Sequence, residues 1–247
     1  MLKEFKADLH IHTCLSPCAD LNMSPLAVVN AAAEKGIDII AVTDHNSAEN
    51  VLAAQRAALD KDITVLAGME IASSEEAHII ALFNKVETVI ALQDIVYANM
   101  LPIENDEKMY GEQIVANEND EVTGFNKRLL IGGTLLPAQD IINTIHSLGG
   151  LAVASHIDKE AFSIISQLGF ITEDMGFDAL EMSRNMDRNT AEIAFKMYSS
   201  YAWISSSDAH YPQDIGKRTV SFFMHEPTIE EMTLAFNNLD GRKVVWE

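Results

Sequence analysis

The chain has 247 residues, 48% of them apolar, which is enough for a sizeable core and excludes global disorder. Its 37 acidic residues outnumber 17 basic ones, and the formal net charge of −20 argues against a groove that tracks a long phosphate backbone. Two cysteines, Cys14 and Cys18, exclude a disulfide framework. With no signal-peptide core and no membrane-length apolar run, the chain is expected to be cytoplasmic, with no membrane partner.

Residues 5–9 read as a strand that runs into His10 and His12, followed by a loop of small residues to Asp20. Ser24 as N-cap and Pro25 at the first helical position start a helix that Gly36 ends. The continuous apolar run 37–42 predicts a strand buried on both faces, ending at Asp44 and His45. A helix over 47–59 follows, then strands over 63–67, ending near Glu70, and over 78–83. The stretch 94–128 breaks this rhythm, with seven acidic residues between Glu104 and Glu121 against one lysine. It is read as an insertion or lid over the site within a single domain spanning 1–247. A helix over 138–148 and a strand over 151–154, ending at His156, restore the alternation. A strand over 179–182, a helix from about 187 to 197 and a strand over 202–205 follow. Thr228-Ile229-Glu230-Glu231 forms a capping box for a last helix, before a strand over 243–246.

Such alternation predicts an α/β fold with a parallel sheet, whose functional site lies at the carboxyl ends of the strands. The histidines gather there. Six of the eight lie at His10, His12, His45, His78, His156 and His210, and Asp44, Glu70 and Asp208 accompany them. Imidazole and carboxylate together are the ligand set of hydrolytic zinc, manganese or iron. A His-x-His pair places both rings on one face of a strand, and a neighbouring Asp can orient an imidazole from behind. His146, in a helical stretch, and His225, beside a late strand, read as structural or exposed, and Cys14 as a buried thiol.

The ordered segments Asp8-Leu9-His10-Ile11-His12-Thr13, Val42-Thr43-Asp44-His45-Asn46, Gly68-Met69-Glu70-Ile71, Ser155-His156 and Ser207-Asp208-Ala209-His210 resemble the PHP (polymerase and histidinol phosphatase) family over nearly the whole chain. The resemblance implies a distorted (β/α)7 TIM-like barrel holding two to three divalent ions at the C-terminal ends of its strands. It also implies hydrolysis of phosphate esters. By position, His10, His12, Glu70 and Asp208 would hold one ion, with Glu70 bridging to a second shared with His78 and His156. Asp20, His45 and His210 would hold the third. Two departures stand out. Ser16-Pro17-Cys18-Ala19-Asp20 occupies the loop where many members place a histidine or Ser-Asp-Gly, so Asp20 is the expected ligand and Cys18 the soft-metal alternative. His156 is followed by Ile157 where proline is usual.

Phosphate also needs positive side chains, and Arg184 and Arg128 are the candidate contacts, with Glu181 near the site and Asp44 as orienter. The expected activity is hydrolysis of a small phosphomonoester through a metal-bridging hydroxide. The alternatives are a nucleotide phosphatase or short-oligonucleotide nuclease on the same fold, and a non-catalytic metal-binding module.

Overall fold

Eleven strands and eight α-helices run along residues 1–246, the part of the chain that the computed structural model describes. They begin with β1 (Lys3–Ile11), α1 (Pro25–Glu34), β2 (Ile39–Val42), α2 (Val51–Ala57), β3 (Thr64–Ala72), β4 (His78–Phe83) and α3 (Val86–Ala98). Next are α4 (Glu107–Tyr110), β5 (Ile114–Ala116), β6 (Val122–Phe125), α5 (Ala138–Ser147), β7 (Leu151–Ala154) and α6 (Ile164–Leu168). The series closes with β8 (Ala179–Met182), α7 (Arg188–Ala194), β9 (Ala202–Ser205), β10 (Val220–Met224), α8 (Ile229–Phe236) and β11 (Lys243–Val245).

Nine strands form one sheet in the order β11-β10-β1-β2-β3-β4-β7-β8-β9, and its outermost strands, β11 and β9, lie against each other to make a nearly closed barrel. The pairs β1–β2, β2–β3, β7–β8 and β8–β9 are parallel. β4 runs antiparallel to both β3 and β7, and β10 antiparallel to both β1 and β11. The barrel is therefore mixed α/β, with two reversed strands set among parallel ones. β2, β7 and β8 are buried at every residue; β2 and β7 are continuously apolar, and β8 buries Glu181 among apolar neighbours.

The reversal of β4 departs from simple strand–helix alternation, and its cause is local. Only residues 73–77 separate β3 from β4, and Ser73 N donates to Ala77 O at 2.9 Å across the turn. A parallel return needs a crossover of a dozen or more residues, so this link can only make a hairpin. In consequence the start of β4 lies at the same rim as the ends of the parallel strands, and His78, its first residue, stands beside Ala72 of β3.

Other differences concern element ends. β1 and β3 extend through His10 and Glu70, so these residues belong to strands and not to the loops after them. The helix expected over 47–59 begins only at Val51, because Asn46 adopts φ +50° and the chain next turns at 49–50. The acidic stretch 94–128 is ordered: it contains the end of α3, α4 and the β5–β6 hairpin. That hairpin is strapped down by Ile114 N donating to Cys14 O at 2.9 Å, and by the Asn50 side chain, which bonds Ile114 O and Ala116 N at 3.0 Å each. Among the described residues no helix is long and apolar enough to cross a membrane.

Candidate metal centre

Glu70, brought to the rim by β3 and almost fully buried, lies among five imidazoles. Its Oε1 is 3.3 Å from His10 Nε2, 3.1 Å from His78 Nδ1 and 3.3 Å from His156 Nε2. Its Oε2 is 3.1 Å from His45 Nδ1 and 3.5 Å from His12 Nε2. Asp208 Oδ1 caps the His10–His12 pair at 3.5 Å from each Nε2. Burial alone would raise Glu70, yet His78 and His10 beside it hold its carboxyl well below the ordinary range. Asp208 is held down the same way, chiefly by His10 against the effect of burial.

The rings are aimed by neighbours behind them. His10 Nδ1 donates to Glu181 Oε2 at 2.9 Å, which leaves Nε2 as the free donor atom facing the cluster. Ser16 Oγ donates to Asp44 Oδ1 at 2.6 Å and so accepts from His12 Nδ1 at 3.0 Å. Asp44, the expected orienter, thus acts on His12 through Ser16, and it also accepts from Thr13 N and Oγ1. His210 Nδ1 donates to Asp208 O at 2.9 Å. Asn46, His156 and Asp208 all hold left-handed φ (+50°, +29° and +49°), a strained backbone that turns their side chains at the rim; His156 adopts it without a following proline.

This arrangement fits divalent cations. His10 Nε2 and His12 Nε2 are 3.1 Å apart with no proton assigned between them once each Nδ1 is a donor. Glu70 Oε1, His78 Nδ1 and His156 Nδ1 are buried without a hydrogen-bond partner. Burial together with His210 and His45 keeps His12 well below the ordinary imidazole value, in the neutral form that binds metal. Three groups have ligand atoms close enough to share an ion: His10–His12–Asp208, His45–Glu70–His78, and His12–Cys18–His45–His210.

Three expected residues stand elsewhere. Asp20 does not face the cluster: its Oδ1 accepts from Asn22 N at 2.9 Å and Asn22 Nδ2 at 2.7 Å, closing a local turn, while Cys18 faces His45 and His210. Arg184 is turned to Asp214, with 2.8 Å between Nη1 and Oδ2, and Arg128 stacks 4.0 Å above the Tyr97 ring. Neither lines the cavity of about 220 Å³ in front of the cluster. The basic group that does is Lys159, whose Nζ contacts Asp208 Oδ2 at 2.5 Å; Phe162 and Ile131 form its apolar walls. No motif marks Lys159, although it lies three residues after His156, within reach of the same rim. His146 pairs with Asp178 and stays outside the centre.

The PHP domain family matches residues 8–160. The chain belongs to the PHP family. Two relatives are uncharacterized proteins: one from Methanocaldococcus jannaschii, 34% identical over 32% of this chain and 50% of its own length, and YqxK of Bacillus subtilis, 22% identical over 99% and 65%. This PHP chain therefore spans between half and two thirds of the length of either relative. Among solved structures, the lesion-specific endonuclease EndoQ of Pyrococcus furiosus superposes with a TM-score of 0.74 at 18% identity, over 98% of this chain and 58% of the endonuclease. A protein assigned as a metal-dependent phosphoesterase from Bifidobacterium adolescentis gives 0.59 at 18% identity, over 83% and 87%. These likenesses establish the PHP fold.

Proposed function

We propose that this PHP centre hydrolyses the phosphate ester of a small molecule, using two to three divalent ions drawn from zinc, manganese and iron. The observation that carries the reading is one cavity where a carboxylate set among imidazoles meets a lysine. His10, His12, Glu70 and Asp208 would hold one ion, and Glu70, His78 and His156 a second. When bound, such ions supply Lewis acidity toward phosphoryl oxygens and lower the pKa of water toward neutrality.

The protein's own groups divide the remaining work. Glu181 and the Asp44–Ser16 pair hold His10 and His12 with Nε2 inward. Burial opposes a charge on Lys159, but Asp208 beside it raises its pKa, so Nζ remains cationic at neutral pH. A phosphate oxygen at the mouth then finds an ammonium already in place. Phe162, stacked on His78 at 4.8 Å between centroids, walls the cavity on the apolar side. A volume of about 220 Å³ suits a phosphoryl group and a small remainder.

Steady-state assays over a panel of phosphorylated metabolites, with each metal in turn, test the reading. Glu70→Ala or Asp208→Ala is expected to abolish turnover while circular dichroism stays native, and unchanged activity in either variant sinks the assignment. Lys159→Ala is expected to lower kcat/KM by about 10–100-fold, the worth of one charged hydrogen bond. A second reading, cleavage of short nucleic acids, is favoured by the likeness to EndoQ over 98% of the chain. Turnover of 5′-labelled oligonucleotides in preference to every monoester would select it.

A further inference from the structure

Resting on the metal-centre reading above, we propose that Cys18 is a ligand of the third metal position, which is a thiolate–imidazole site and not a carboxylate one. Cys18 Sγ and one nitrogen each of His12, His45 and His210 all lie within 4.8 Å of one another. A tetrahedral zinc site with bonds of about 2.0–2.3 Å separates its ligand atoms by roughly 3.3–3.6 Å, so small side-chain movements bring Cys18, His45 and His210 onto one ion, with His12 left to the position it shares with His10 and Asp208. The loop presents the sulfur by backbone order: Ala19 N donates to Ser16 O at 3.0 Å and Asp20 N to His210 O at 2.8 Å, which ties the Cys18 loop to the segment carrying His210. Asp20, the alternative oxygen ligand, is spent on Asn22. The other thiol cannot substitute, because Cys14 Sγ is directed at Ile114 O at 3.7 Å, beneath the β5–β6 hairpin.

A sulfur ligand changes which metal the position takes. Thiolate favours zinc, and carboxylate-rich positions accept manganese or magnesium more readily. The position at Cys18 therefore keeps zinc under conditions where the Glu70 and Asp208 positions exchange it.

Zinc K-edge absorption on the zinc-loaded protein tests this, with cobalt substitution as a second readout. The expected wild-type result is a sulfur neighbour at about 2.3 Å and, with cobalt, a thiolate-to-metal charge-transfer band in the near ultraviolet. Cys18→Ser loses both signals and one equivalent of zinc, while Cys14→Ser and Asp20→Asn keep them. Absence of sulfur from the wild-type spectrum, or its persistence in Cys18→Ser, overturns the proposal whether or not that variant folds well. Phosphoester turnover is scored on the same samples. A zinc–sulfur bond without turnover retains Cys18 as ligand and removes the hydrolase reading; turnover without the bond does the reverse.

Discussion

The Glu181 carboxylate reaches the centre through His10 and the His156 backbone, where its Oε2 accepts at 2.9 and 3.1 Å. It acts as a positioning residue. Glu181→Gln is expected to lower metal affinity or kcat about 10–100-fold, as loss of an orienting carboxylate does elsewhere, and metal titration with a thermal melt separates this from unfolding. The two thiols offer a second check on the metal-free protein. Burial would raise Cys18, but hydrogen bonds with His210 and His45 outweigh it and bring the thiol down to about 7. Burial and the nearby Asp44 push Cys14 up to about 12. An acid with a lowered pKa ionises at lower pH, so alkylation is expected to rise through a midpoint near 7 and to label Cys18, not Cys14; added zinc should suppress it. Mass spectrometry of the labelled peptides reads the outcome, and label on Cys14 at neutral pH would contradict the geometry.

Within β3, Gly68 is required by a close approach. A Cβ there would meet Val42 O at 2.7 Å and Thr43 Cγ2 at 2.8 Å. Gly68→Ala is expected to cost about 1–3 kcal/mol in urea unfolding, and to reduce bound metal because Glu70 lies two residues further along the same strand. What the sequence discloses of this depends on the kind of signal. Fully buried strands announce themselves as apolar runs, so β2 and β7 and the ligands that follow them, His45 and His156, are legible in the sequence. Strand direction leaves no periodic trace; His78 belongs to the rim only because a five-residue link forces a hairpin. Asp20-Leu21-Asn22 forms a turn in which Asp20 bonds its own chain two residues on, a local signal that turns its side chain from the cluster. Arg184 and Arg128 qualify as phosphate contacts by charge alone, and the groups they turn to, Asp214 and Tyr97, lie far away in sequence.

Across the molecule, charge and metal set the expected solution behaviour. Chelation leaves neighbouring imidazoles and carboxylates without the cations they surround, and a ligand that binds only the folded state stabilises it by mass action. Removing metal is expected to lower Tm by roughly 5–15 °C, reversed by zinc, as calorimetry will register. With a net charge of −20, turnover of a small ester should change less than about twofold between 50 and 200 mM salt, against the thousandfold or greater loss typical of polymer binding.

The β3–β4 hairpin also fixes an order of assembly. Glu70 and His78 meet across one tight turn, so among ligand pairs contributed by different strands theirs closes the shortest loop. His10 and Asp208 must be brought together from near opposite ends of the chain. A refolding chain therefore owns a two-ligand foothold for zinc while most of the barrel is still forming, and Asp208 and His210 arrive to an ion already caught. Pulse-labelled hydrogen exchange in the presence of zinc should find β3 and β4 amides protected before those of β9.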